Sequence, residues 1–244
     1  IVDDGSVADD DTPEISIDDV TVDEAAGVVI FTVSLSNPSD SPVTVDYETA
    51  DVASAAAGTD YVYKTGTISF AAGVTSQTIS ISVSDDDLYE ISETFAVNLS
   101  NESGATLGTA QGVATIFDDG TIVDDDMPAV SISDVTVSEG DGVAIFTIAL
   151  TNPSLYPISV NYSTANIASA SSASDYTAQS GTVNFTPGVV SQTVSVAITD
   201  DTVFENSETF AVNLSGVSGA TLADSQGLAT ILDNEPPPEV SISD

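Results

Sequence analysis

Cysteine, histidine, arginine and tryptophan are all missing from this chain, and Lys64 is its sole base. Each absence removes a class of function. Without Lys and Arg nothing can neutralise phosphates, so neither a nucleic acid nor an anionic membrane surface is expected as a partner. Without His or Cys the usual nucleophile–base triads and zinc sites cannot be built. A carboxylate pair for glycoside hydrolysis is formally left, but there is no Trp to serve as a sugar platform. The chain is therefore not expected to be an enzyme. No disulfide can staple the fold, which fits a cytosolic protein or a bacterial surface protein stapled by metal. No apolar run is long enough to cross a bilayer, so direct membrane insertion is not expected. The N-terminus carries no basic stretch of a secretion signal.

What the chain has in excess is acid. Asp and Glu number 39, for a net charge of -38. This is not the signature of disorder, because a hydrophobic fraction of 41% is ample for a packed core.

The second half of the sequence restates the first. Pro13-Glu-Ile-Ser-Ile-Asp-Asp-Val-Thr-Val22 aligns with Pro128-Ala-Val-Ser-Ile-Ser-Asp-Val-Thr-Val137, 115 residues on. The same offset pairs Ser76-Gln77-Thr78 with Ser191-Gln192-Thr193. It also pairs Glu93-Thr-Phe-Ala-Val-Asn-Leu-Ser100 with Glu208-Thr-Phe-Ala-Val-Asn-Leu-Ser215. No gap is needed up to Asn234, so this is an internal repeat. Ile1-Val-Asp-Asp-Gly5 matches Ile116-Phe-Asp-Asp-Gly120, and Pro238-Glu-Val-Ser-Ile-Ser-Asp244 restarts the motif. The expected organisation is a repeat tail and linker at 1–12, a first repeat at 13–119, an acidic linker at 120–127 and a second repeat at 128–234. Residues 235–244 are expected to be a linker and the first strand of a third repeat, as in a piece of a longer array.

Each repeat alternates with period two, is rich in Val, Ile, Thr, Phe and Tyr, and is broken by Gly, Pro, Asn and Asp. Seven strands, A to G, are expected in the first copy, near 14–23, 28–36, 43–50, 66–70, 77–84, 94–100 and 111–117. Val29, Phe31, Val33 and Leu35 should face inward, and Phe31, Tyr47, Phe70 and Phe95 should be core. The class is all-β: two tandem seven-stranded immunoglobulin-like antiparallel β-sandwiches, head to tail.

In such a sandwich successive strands reverse direction, so alternate loops share an end. Loops A–B, C–D and E–F, with the residues after G, fall at one end. Glu24, Asp60, Asp85, Asp86, Asp87, Glu90, Glu93, Asp118 and Asp119 all lie there. In the second copy Glu139, Asp175, Asp200, Asp201, Glu205, Glu208 and Asp233 do the same. The opposite end of the first copy holds only Asp40 and Glu102. Acids scattered for solubility, or for life in high salt, should not sort by loop parity. Two carboxylates about 5 Å apart repel by roughly 3 kcal/mol at an effective dielectric near 20. Either they protonate in part or a cation sits among them. Flexible oxygen ligands from several loops suit calcium, whereas magnesium prefers a smaller octahedral shell and zinc prefers His or Cys.

The ordered motifs resemble the Calx-beta family. They are Val22-Asp-Glu24, Gly58-Thr-Asp-Tyr61, Gly66-Thr-Ile-Ser-Phe70, Asp85-Asp-Asp-Leu-Tyr-Glu-Ile-Ser-Glu-Thr-Phe-Ala-Val-Asn-Leu99 and Ala114-Thr-Ile-Phe-Asp-Asp119. The resemblance covers both repeats. It implies a seven-stranded sandwich with calcium bound by the loops at one end. It implies ligand roles for Glu24, Asp60, Asp85, Asp86, Glu90 and Asp118, helped by Glu93, Asp87 and Asp119. The second copy departs from the pattern at Thr202 and Asn234, each standing where the first has Asp, so it is expected to bind calcium less well.

Two readings follow. One is a calcium-rigidified repeat of a large extracellular adhesin, matrix or filament protein at a bacterial cell surface. Its partners would be neighbouring repeats of the same chain or filament. The other is a regulatory calcium-sensing module of a larger membrane or signalling protein. Asn98, Asn101, Asn161, Asn184 and Asn213 open short glycosylation-type triplets, which arise readily in a chain rich in Ser and Thr.

Overall fold

The computed structural model describes residues 12–118, 126–167 and 169–242. Asp119, the segment 1–11 and most of the linker at 120–127 lie outside the described residues. The chain divides into two compact units that follow the two repeats except at residues 87–89, which group with the second, and the main boundary lies between residues 125 and 126.

The first unit contains β1 (Glu14–Ile17), β2 (Val20–Asp23), β3 (Val28–Leu35), β4 (Val43–Asp51), β5 (Thr65–Phe70), β6 (Ser76–Ser82), β7 (Glu93–Ser103), β8 (Thr106–Leu107) and β9 (Gln111–Phe117). They form two sheets, ordered β6-β3-β1-β8 and β2-β9-β7-β4-β5. Alternation puts Val29, Phe31, Val33 and Leu35 of β3 inside, against Phe95, Val97 and Leu99 of β7. Phe31 meets Phe95 edge to face at 6.1 Å.

The expected strand A is not one strand. It breaks at Asp18-Asp19 and changes sheets, β1 pairing with β3 and β2 running parallel to β9. The sandwich is therefore not wholly antiparallel, since β1 also pairs parallel with β8. Side chains make the break. Asp18 Oδ1 accepts from the Thr32 amide at 2.6 Å on one sheet, and Asp19 Oδ1 accepts from the Val113 amide at 2.8 Å on the other. These bonds satisfy backbone donors that the broken ladder would leave unpaired. The crossing strand passes so close that a Cβ on Gly112 would stand 2.3 Å from the Asp18 carbonyl.

Tyr47, expected in the core, is only half-buried and lies over Gly66. Tyr61 takes the core position instead: it is 1% exposed and stacks on Phe95 at 4.0 Å.

The second unit repeats this arrangement. It comprises β10 (Ala129–Ile132), β11 (Val135–Ser138), β12 (Val143–Leu150), β13 (Ile158–Asn166), β14 (Ser180–Phe185), β15 (Ser191–Ala197), β16 (Glu208–Ser218), β17 (Thr221–Leu222) and β18 (Gln226–Leu232). Its sheets are β15-β12-β10-β17 and β11-β18-β16-β13-β14. The strand expected at 238–244 is not formed over the described residues 238–242, where Val240 and Ile242 are almost fully exposed. No described strand pairs with that segment, and a strand is held by its ladder.

Candidate metal centres

Core packing brings the first acids together. Along β7 the inward face reads Glu93, Phe95, Val97, Leu99, so an acid takes the terminal place of an apolar row. Tyr61 stacks on Phe95, and this seats its neighbour Asp60 beside Glu93. The Tyr61 hydroxyl donates to Asp51 Oδ1 at 2.5 Å and fixes the ring. Asp60 Oδ2 accepts from the Ala56 amide at 2.6 Å, and the Ser84 amide donates to the Asp60 carbonyl at 2.9 Å. The turn before β5 is thereby tied to the segment after β6.

The outcome is a carboxylate group. Asp60, Glu90 and Glu93 each place an oxygen within 4.8 Å of the others. Glu93 is 8% exposed. Burial pushes its carboxyl up to about 8, aided by the charges of Glu90, Asp60 and Asp118. Burial also raises Glu90, to about 7, with Asp60, Asp86 and Asp118 adding to the effect.

Glu24 opens a 3-10 turn, Glu24–Ala26, that follows β2. The turn closes on Gly27 at φ 66, a left-handed conformation that glycine adopts without strain. Glu24 is buried there, and a carboxylate oxygen of Asp118 lies within 4.8 Å of its own. Asp118, which follows β9, accepts from the Glu90 amide at 2.9 Å. The expected sorting of acids by loop parity is thus realised for Glu24, Asp60, Glu90, Glu93 and Asp118, while exposed Asp86 reaches Glu90 through its charge. Asp85 and Asp87 are exposed and join no such group among the described residues.

The second unit builds two groups. Asp175, Glu205 and Glu208 lie within 4.8 Å of one another, and so do Glu139, Asp200 and Glu235. Tyr176 stacks on Phe210 at 4.1 Å, repeating the device that seats the acid before it. Asp175 Oδ2 accepts from the Ser171 amide at 2.6 Å. Burial drives the Asp175 carboxyl up, but hydrogen bonds with Ser174, the Ser171 backbone and Glu208 outweigh it and hold it low. Glu208 is pushed up to about 7 by burial and by its bond to Asp175. Burial and the charges of Asp175, Asp201, Glu139 and Asp233 raise Glu205 as well. Asp201 itself is exposed and accepts from the Val203 amide at 2.7 Å.

Glu235 was missed by sequence reasoning, which placed it in a linker. It sits directly after Asp233-Asn234, where the first copy has Gly120. A hydrogen bond to Glu139 raises it to about 7, with burial and Asp233 contributing. Its one legible signal was an acid immediately following the post-β18 pair.

These groups hold buried acceptors with no donor. Glu139 is 5% exposed, and its Oε1 has no hydrogen-bond partner. Both oxygens of Asp233 and Oε2 of Glu235 are in the same condition. A buried carboxylate oxygen without a donor is costly, and like charges at 4.8 Å add about 3 kcal/mol per pair at an effective dielectric of 20. The described residues offer no base to offset this, since Lys64 Nζ is used on the Ser80 carbonyl at 2.7 Å. Such all-oxygen sets, drawn from several loops, are suited to a hard divalent cation.

The chain is similar to known proteins over both repeats. A family model described as the Calx-beta domain matches residues 8–120 and again 123–235. Sodium/calcium exchanger 1 of Rattus norvegicus is 31% identical over 193 residues, a match covering 70% of this chain and 19% of the exchanger. Sodium/calcium exchanger 2 of Homo sapiens is 30% identical over 187 residues, covering 70% of this chain and 20% of that protein. The chain thus spans about a fifth of the length of the curated relatives it matches. Among solved structures, the apo form of the Calx CBD1 domain is 34% identical with a TM-score of 0.43, covering 45% of this chain and 99% of that one. The calcium binding domain CBD12 of CALX1.1 is 21% identical with a TM-score of 0.44, covering 88% of this chain and 98% of that one.

Proposed function

The chain belongs to the Calx-beta family, and from that premise we propose that each unit binds calcium through the acids gathered at one end of its sandwich. The observation that carries the reading is the set of buried carboxylate oxygens without donors at Glu139, Asp233 and Glu235. A bound calcium supplies the missing positive charge and accepts six to eight oxygens in flexible geometry. Glu24, Asp60, Asp86, Glu90, Glu93 and Asp118 would hold it in the first unit. Glu139, Asp175, Glu205, Glu208, Asp233 and Glu235 would do so in the second. The protein's part is to hold these acids in place without an ion, through the Tyr61 and Tyr176 stacks and the amide donors of Ala56 and Ser171.

We further propose that calcium stiffens a tandem array at an extracellular or cell-surface position, as in an adhesin, matrix or filament protein whose partners are further repeats. The support is the ungapped 115-residue repeat with matching motifs at both ends. A second reading, a regulatory calcium-sensing module, is favoured by the identity with sodium/calcium exchangers. The array reading expects still more repeats in the full protein, and the sensing reading expects membrane helices.

Thermal melts of the chain in calcium and in chelator, at matched ionic strength, test the calcium claim. An ion bound only by the folded state adds about 2.7 kcal/mol at a hundredfold excess over Kd. Melting in calcium should therefore be several degrees higher. Equal melting temperatures would leave the acids as a halophile's surface and defeat the reading.

A further inference from the structure

In the second unit one acid of the cluster already has an internal donor. Asn234 Nδ2 donates to Asp200 Oδ1 at 3.0 Å. An ionised carboxylate only accepts, so the nitrogen of the amide must be the atom that faces it. The contact depends on residue 140. A Cβ on Gly140 would stand 2.6 Å from Asn234 Nδ2, closer than real side chains approach. At the corresponding positions of the first copy, Gly140 is Ala25 and Asn234 is Asp119. The two positions have thus changed together between the copies. The donor serves Asp200 alone. Glu139, 5% exposed, still has Oε1 without a partner, and so do both oxygens of Asp233. The neighbouring acid Glu235 replaces Gly120 and joins Glu139 and Asp200 within 4.8 Å.

We propose that Asn234 is a built-in stand-in for a cation. Its amide holds Asp200 where a further calcium ion would otherwise be needed, so the second unit takes one ion fewer than it would with an aspartate at this position. Gly140 is the positioning residue that makes room for the amide. The remaining ions of the second unit sit on Glu139, Asp233 and Glu235 and on the Asp175, Glu205 and Glu208 group. Asp200 is preorganised before any ion arrives, and the calcium-free second unit depends on the ion less than its Asn234→Asp variant would. This rests on the calcium reading given above.

The test uses the whole chain and its variants Asn234→Asp and Gly140→Ala. Bound calcium is counted by equilibrium dialysis at saturating calcium, and melting is followed in chelator. Asn234→Asp should bind one more ion per chain and melt several degrees lower in chelator, having lost a donor and gained a charge. Gly140→Ala keeps the charge but displaces the amide. It should also melt lower in chelator, and it should bind no extra ion. An unchanged calcium count in Asn234→Asp overturns the proposal, whatever its melting temperature. If that variant does not fold, the side-chain amide signals of Asn234 in the wild-type protein decide. They should keep their hydrogen-bonded positions on calcium saturation, and their displacement by the ion would overturn the proposal. A wild-type chain that folds but binds no calcium would instead defeat the calcium reading itself, and this inference with it.

Discussion

Glu93→Gln should change the first unit in opposite directions with and without calcium. Glu93 closes the inward row of β7 and shares a 4.8 Å group with Asp60 and Glu90. Its carboxyl sits at about 8, above the ordinary 4.5. A group raised in this way favours the fold fully below about 4.5, and that contribution is lost as pH rises through about 8. The calcium-free unit should therefore weaken over that window. Glutamine copies the protonated side chain: it keeps a donor for Asp60 and carries no charge. Two charge pairs at 4.8 Å, at about 3 kcal/mol each, bound the relief from above. Relaxation and water reduce this to about 1–2 kcal/mol, or about 4–10 °C in a domain of this size. In chelator at pH 8.5, Glu93→Gln should melt that much higher than the parent, and its pH dependence should shrink to the share that Glu90 contributes. In calcium it should melt lower, because the ion loses a ligand charge. Differential scanning calorimetry in chelator and in calcium, at pH 6 and 8.5, reads both signs. A variant that melts lower in chelator and keeps the whole calcium increment would show that Glu93 is an ordinary structural acid, and the reasoning would fail.

Calcium binding should release protons near neutral pH, because Glu90, Glu93, Glu208 and Glu235 are raised to about 7 or 8 and must ionise to bind. Titration calorimetry in buffers of different ionisation enthalpy should show this release, and affinity should fall as pH drops below about 7; buffer-independent heats would argue against it. Tyr61→Phe removes the hydroxyl with its bonds to Asp51 and Thr49 and should cost about 1 kcal/mol while keeping calcium affinity. Tyr61→Ala also removes the stack on Phe95, and should cost about 3–5 kcal/mol and weaken calcium binding, as seen in denaturant melts and titration. Gly112→Ala forces a Cβ to within 2.3 Å of the Asp18 carbonyl; it should destabilise the unit by about 1–3 kcal/mol in denaturant melts, without changing the number of ions bound.

Much of this was legible in the residues, because strand alternation is itself a record of burial. The row Val29, Phe31, Val33, Leu35 faced inward as read, and loop parity collected most of the first unit's acids. The break in strand A was hidden for a physical reason. Asp18 and Asp19 act there through side-chain bonds to amides of two different sheets, Thr32 and Val113, and alternation does not encode a change of sheet. Tyr47 was read as core and Tyr61 was not, because Tyr61 lies outside the alternating strands, yet it is Tyr61 that has a flat ring, Phe95, to stack on. Asp85, Asp86 and Asp87 carry the right residue type in the right loop, yet all three are exposed, and a motif does not specify which acids of a loop turn inward. Glu235 lay beyond the end of the ungapped alignment, where the repeat no longer guided the reading. The second unit's missing acids at Thr202 and Asn234 are therefore offset in part by an acid the motif did not contain.

The most direct test of the central claim is an amide NMR titration of the whole chain with calcium, with magnesium at equal ionic strength as the control. Asp40, in the turn after β3, and Glu102, near the far end of β7 from Glu93, serve as internal references for the first unit. The account predicts saturable calcium shifts at Glu24, Asp60, Glu90, Glu93 and Asp118 and at their counterparts in the second unit. Asp40 and Glu102 should stay still, and magnesium should produce little change. Shifts spread evenly over all the acids, or the same response to both ions, would mean that the charge is general and that no calcium site has been built.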